Sequence, residues 1–304
     1  ALSEAGGALR AAAGSRAAYM PLDMHLLHAH GVVVQVALFV NCVQDDIALL
    51  ALRTLALLAQ SRTFRATDRF GGTLHRQSMN RLVGVLVMTD EAERVKAGVL
   101  GWLEALRGMS GDVEALAAAA ATLGEPEADE EGAAAATAPG DATAAIARAL
   151  LDLLLENTQR TSEAPNIAHL LLGFDLRAAR DEDQLVDADA RGRPASVLGA
   201  LVALLRPPSG GAAATADAEV HHGAALAEAA PALAERGYAL LHQLCVHPYT
   251  SAATLRYLRT RGEFVLRQVV YAPLRVPPSP GVALPHAALG RVAVSYTHLR
   301  AHET

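Results

Sequence analysis

The sequence predicts an all-α chain, built as an irregular solenoid of helix pairs of the HEAT or armadillo kind. Three observations predict it. Apolar residues make up 52% of the 304 positions while aromatics are only 4%, so leucine, valine and alanine must build the core. Alanine, the strongest helix former, carries much of that fraction. Apolar residues recur at helical spacing in segment after segment, and the alternation of half-buried strands is scarce. Helix spacing is irregular and no repeat of fixed length emerges.

The elements follow in order. Ala1 to Ala18 is alanine-rich and reads as the end of a helix. Pro21 or Leu22 opens the next, since proline suits a first turn. Val32 to Val43 is β-branched and favours a strand locally; lacking partner strands, it is expected as helix. Asp45 or Asp46 caps Ile47 to Ala59, with Ile47, Leu50, Thr54, Leu55 and Leu58 expected along one side. Ser61 to Phe70 is polar and broken by Gly71-Gly72. Leu82, Val85 and Leu86 mark a further apolar segment within Leu74 to Met88. Thr89 or Asp90 caps the next helix, whose buried face is Val95, Val99, Trp102, Leu103 and Leu106. Trp102, the only tryptophan, reads as a core anchor.

A composition shift then divides the chain. Residues 1–107 form one solenoid segment, 108–143 an acidic low-complexity insertion, and 144–272 a second segment. The insertion holds Asp129-Glu130-Glu131 and an alanine run. It offers little area to offset chain entropy and reads as a flexible acidic loop. The second segment opens on Ile146, Leu150, Leu153 and Leu154. Pro165 begins Asn166 to Phe174, which Gly173 closes. Leu176 to Asp189 is charged and read as loop, and Pro194 to Leu205 is a helix. Ser209 to Gly223 is a second Gly/Ala-rich insertion. Ala224 to Val246 is a helical pair broken at Pro231. His247-Pro248 stops it, because the residue before a proline is pushed out of the α region. Thr250 or Ser251 is expected to cap the next helix, with Leu255 and Leu258 inward and Gly262 ending it.

Residues 273–304 carry five prolines in their first half and no helical pattern. The last stretch, Val294 to Thr304, resembles translated sequencing-adapter sequence and is set aside as a scar.

Composition also excludes. Formal charge is 26 minus 32, or −6, with a single lysine, Lys96, and no basic cluster. That is no footprint for direct nucleic-acid contact. The most apolar run, Gly31 to Val43, is interrupted by Gln35 and Asn41 and is too short for a transmembrane segment. Cys42 and Cys245 sit in apolar patterns and read as small buried hydrophobes in a reducing compartment. No nucleophile elbow, phosphate loop or dinucleotide fingerprint occurs, so no enzyme and no catalytic residue is expected. His25, His28 and His30, with Asp23, form the best metal candidate. Zinc needs a fuller ligand set, so they read as surface histidines; His221-His222 is weaker still. No cofactor-binding or metal residue is assigned, and no cofactor is expected.

Two blocks carry a resemblance. One is Cys245, Thr250-Ser251, then Leu255-Arg256-Tyr257-Leu258-Arg259-Thr260, continued by Phe264, Leu266 and the run into Pro273. The other is Leu150 to Gln159, then Asn166-Ile167-Ala168 and Leu170-Leu171-Leu172-Gly173-Phe174-Asp175-Leu176. In this order they resemble the large inner-ring scaffold nucleoporins, the nucleoporin 205/192 family, over about Ala144 to Pro273. A fainter helical likeness covers Met20 to Leu106. The family's chains are far longer, so an internal fragment is expected. The resemblance implies a curved structural support of the nuclear pore at the nuclear envelope, within a large multi-subunit assembly. Its implied partners are other inner-ring nucleoporins and extended segments of linker nucleoporins. It places no partner groove on particular residues; Leu255, Tyr257, Leu258 and Phe264 read as packing. A single Phe-Gly dipeptide, Phe70-Gly71, fits a folded scaffold rather than a disordered barrier protein. The alternative is a soluble helical-repeat transport receptor or adaptor; a helical metalloenzyme using the His25 cluster is third.

Overall fold

The first described elements are short helices that fold back on one another. The computed structural model describes residues 21–69, 78–109, 139–159, 164–174, 176, 185, 196–206, 226, 230–261 and 264. Helix α1 is Leu22–His28, with Pro21 at its N-cap. Helix α2 is His30–Leu38, extended by a 3₁₀ turn, Phe39–Asn41. The valine-rich run is therefore helical despite its strand propensity. Val33, Val34, Ala37 and Val40 are buried together, a spacing that only a helix places on one face.

Helix α3 is Asp45–Gln60 and helix α4 is Arg62–Arg65. The inward stripe of α3 is Ala48, Ala51, Leu52, Leu55, Leu58 and Ala59. Leu50, expected inward, is 65% exposed. Two apolar stripes run along α3, and periodicity alone does not say which faces the core. The alanines let a neighbouring helix approach closely, and that stripe is buried. Asp45 and Asp46 lie in the first turn after an N-cap at Gln44 that makes no side-chain bond. Their role is with the helix dipole rather than as a cap.

An antiparallel ribbon follows, β1 Thr67–Arg69 with β2 Ser78–Asn80, paired Thr67 to Asn80 and Asp68 to Met79. Each strand is too short and polar to show alternation, so periodicity had no purchase on it. Asn80 turns the ribbon into helix α5, Arg81–Met88, by accepting from Leu82 N–H at 3.0 Å. Thr89 does not cap the next helix. Its hydroxyl donates back to the carbonyls of Val85 and Leu86, and Asp90 makes the turn at φ 55°, a region Asp tolerates.

Helix α6 is Ala92–Met109, α7 is Pro139–Thr158, α8 is Ile167–Leu172 and α9 is Val197–Leu205. Helix α10 is Pro231–Val246, with proline in its first turn, and α11 is Ser251–Thr260. The predicted faces hold for α6 and α7 except at Trp102: Val95, Val99, Leu103, Leu106, Ile146, Leu150, Leu153 and Leu154 are buried, while Trp102, expected with them, is half-buried. The acidic and Ala/Gly-rich insertions expected to be flexible lie largely outside the described residues, as do Gly262 and the tail from 273 onward.

These helices form two stacked layers. In one, α3, α7 and α10 lie side by side. In the other, α2 with its 3₁₀ turn, α6 and α9 lie side by side. The layers join through α3 on the 3₁₀ turn, α6 on α7, and α9 on α10. One continuous apolar core runs from Val33 to Phe264, the physical signature of a solenoid. Polar ties set the register between units. Trp102 Nε1 donates to the Val40 carbonyl at 2.7 Å, and Asn41 donates to the Arg94 carbonyl at 3.1 Å. Arg236 meets Asp152 at 2.7 Å, linking α10 to α7. Gly98 allows α6 to lie against the 3₁₀ turn, since a Cβ there would overlap the Asn41 amide.

Gly173 ends α8 at φ 92°. A Cβ there would stand 2.9 Å from Ser196 Cβ, and Ser196 caps α9 by accepting from Gly199 N–H at 3.0 Å. Gly173→Ala is expected to destabilise the chain by about 1–3 kcal/mol through positive-φ strain and this overlap. A fall in the urea midpoint with an unchanged slope checks it.

Candidate functional site

The histidines of the α1 segment do not converge. His25, His28 and His30 are all exposed. Asp23 is engaged elsewhere: its Oδ2 accepts from Ser61 Oγ at 2.6 Å. That bond first, then one from Thr63, holds its carboxyl below the usual range. Among the described residues, no group of three or more His, Cys, Asp or Glu is placed to hold a metal. His221-His222 and Phe70-Gly71 lie outside the described residues. Cys245 is buried and burial pushes its thiol up to about 12, so it is inert at neutral pH. Cys42 is half-buried and forms no disulfide with Cys245. Trp102 is half-buried and serves as the anchor between α6 and the 3₁₀ turn.

Among the described residues, no single helix is long and apolar enough to cross a membrane. The bent pair α1 with α2 and its 3₁₀ turn passes by length and composition, at a 95° bend. Val33, Val34, Ala37 and Val40 from that pair are committed to the core.

Among the described residues, exposed large apolar side chains fall mostly on the first helices, with Met88 and Val246 elsewhere. Leu22, Val32, Phe39, Val43, Leu50 and Leu57 all belong to α1, α2, the 3₁₀ turn, α3 or their connections. Leu50 and Leu57 stand two turns apart on the outer side of α3, at 65% and 68% exposure.

The second matching block folds into the most polar part of the interior. Asn166 caps α8: its side chain accepts from Ala168 N–H at 3.0 Å and donates to the Asn157 carbonyl at 2.8 Å. In return the Asn166 N–H donates to His169 Nδ1 at 3.1 Å, completing a capping box. His169 is wholly buried. Its ring lies 5.1 Å from the His247 ring and 5.0 Å from Tyr249, which it meets edge-on, and 6.1 Å from Phe174. Burial, then the neighbouring His247, pushes His169 down to about 3. His247 closes α10, and its Nδ1 accepts from Tyr249 N–H at 3.2 Å. Thr250, expected to cap α11, instead donates its hydroxyl to the Leu244 carbonyl at 2.8 Å. A freed carbonyl at the end of α10 outcompetes the next helix for that hydroxyl. Leu255, Tyr257, Leu258 and Phe264 are buried, as the packing reading requires.

The histidine cluster escaped the sequence reading. Its one local signal was Asn166-x-x-His169, a capping-box spacing with an unusual fourth member. Nothing local joins it to His247, far along the chain.

The comparisons with known proteins agree with this architecture. A model of the nuclear pore complex scaffold family, nucleoporins 186/192/205, matches residues 9–281. Human nuclear pore complex protein Nup205 is 33% identical over 124 residues, covering 41% of this chain and 6% of that protein. The chain thus spans a small part of the length of the curated relative that it matches. A match over nearly the whole chain, on a two-layer helical array, makes it a member of the nucleoporin 186/192/205 scaffold family.

Proposed function

We propose that the chain is a segment of a structural support of the nuclear pore complex, at the nuclear envelope, acting in the inner ring and holding linker nucleoporins. The observation that carries this reading is the continuous core through two helical layers, in a chain of the scaffold family. Stacked layers resist bending because each helix is buried on several sides, and their edges and grooves accept extended or helical segments from partners. The role is mechanical and organisational rather than catalytic, and it acts through other nucleoporins rather than through direct contact with nucleic acid.

The test is affinity purification of the full-length parent protein from nuclear envelopes. Stable recovery with inner-ring and linker nucleoporins, insensitive to the nucleotide state of Ran, is expected. Recovery with soluble cargo in a Ran-dependent manner would instead make it a transport receptor.

A further inference from the structure

The geometry around His169 goes beyond the scaffold reading. Both rings of the buried pair use Nδ1 to accept a backbone N–H, from Asn166 and from Tyr249. An accepting nitrogen carries no proton, so each neutral imidazole holds its proton on Nε2. A second proton must enter at Nδ1, where it would face an N–H donor. It would break the reciprocal cap of α8 in one ring and the turn after α10 in the other. His169 Nε2 is itself buried with no hydrogen-bond partner, so the closed arrangement leaves one donor that water would satisfy. Among the described residues, the groups shown against His169 are Asn166, Phe174, His247 and Tyr249. None is a carboxylate that would welcome a cation, and a phenol carries no charge in acid.

We propose that the His169–His247 contact is an acid-sensitive latch, which clamps α8 to the α10–α11 turn while the rings are neutral and releases it when a ring is protonated. The direction follows from the two states. The closed latch binds no proton on His169 until far below the ordinary value of 6.5, because its own value lies at about 3. The open latch binds one at the ordinary value. Closure is therefore at full strength above 6.5 and weakens as pH falls from there towards 3. Through that window the opening constant rises about tenfold per pH unit for His169 alone. Cys245 stays neutral throughout.

Amide hydrogen exchange of the 304-residue chain tests this, corrected for intrinsic exchange and compared between neutral pH and about pH 5. Residues 166–174 and 247–257 are expected to lose about 30-fold in protection relative to α3. In His169→Gln the amide oxygen can still accept from Asn166 N–H, as glutamine does in a capping box, and the side chain does not titrate. That variant is expected to keep protection at neutral pH and to lose most of the acid response. An unchanged acid response in the variant, or no response in the parent chain, overturns the latch. Should the variant fail to fold, nitrogen NMR of the parent's imidazoles decides. A neutral His169 ring protonated on Nε2 supports the proposal, and a ring charged or protonated on Nδ1 at neutral pH overturns it.

Discussion

Leu154→Ala is expected to lower the unfolding free energy by about 3 kcal/mol, within the 2–5 kcal/mol range of buried leucine truncations. Leu154 is wholly buried on α7. That helix packs against α3 and α10 in its own layer, α6 in the other, and α8 at its end. Helices held on several sides relax little, so the space left by three carbons stays largely empty and its lining loses dispersion contacts. The same truncation at Leu57, 68% exposed on the outer side of α3, is expected to change stability by no more than about 0.5 kcal/mol. Urea unfolding of the two variants checks both. Equal effects would mean that α7 is not the central member of its layer.

Asn166→Ala is expected to cost about 3 kcal/mol, as much as the core truncation although no apolar contact is lost. Three bonds meet at this residue. Its side chain satisfies Ala168 N–H and the Asn157 carbonyl, and its N–H is held by His169. Asn157 and Asn166 are both buried, so alanine strands a carbonyl and a helix-terminal N–H away from water. Each such orphan costs about 1–3 kcal/mol, and a lost N-cap alone about 0.5–2. Asn166→Ser separates the two contributions. It restores an acceptor for the cap but not the donor to Asn157, and is expected to recover about half of the loss. Thermal or urea midpoints of the pair measure it; equal losses in both would leave the Asn157 bond as the whole effect.

Helices were legible wherever apolar residues recur over three turns or more. Val95 through Leu106 and Ile146 through Leu154 were read correctly because their burial is written in their own spacing. Helix boundaries were legible too, since Pro231 at the start of α10, and Gly173 and His247-Pro248 at helix ends, act through local backbone geometry. The family was legible because its two blocks are short, ordered and separable.

What the sequence could not settle was every choice between two locally equivalent outcomes. Leu50 and Leu52 belong to rival stripes of one helix, and only the arrival of α7 decided which is buried. Thr250 had two carbonyl and amide neighbours to serve, and the end of α10 won its hydroxyl. The ribbon between Thr67 and Asn80 has too few residues for any period. The meeting of His169 with His247 depends on contacts between segments distant in sequence. Local chemistry fixes which stretches coil and where they stop, because those energies involve near neighbours. Which faces meet is fixed by burial, and burial is a property of the assembled stack.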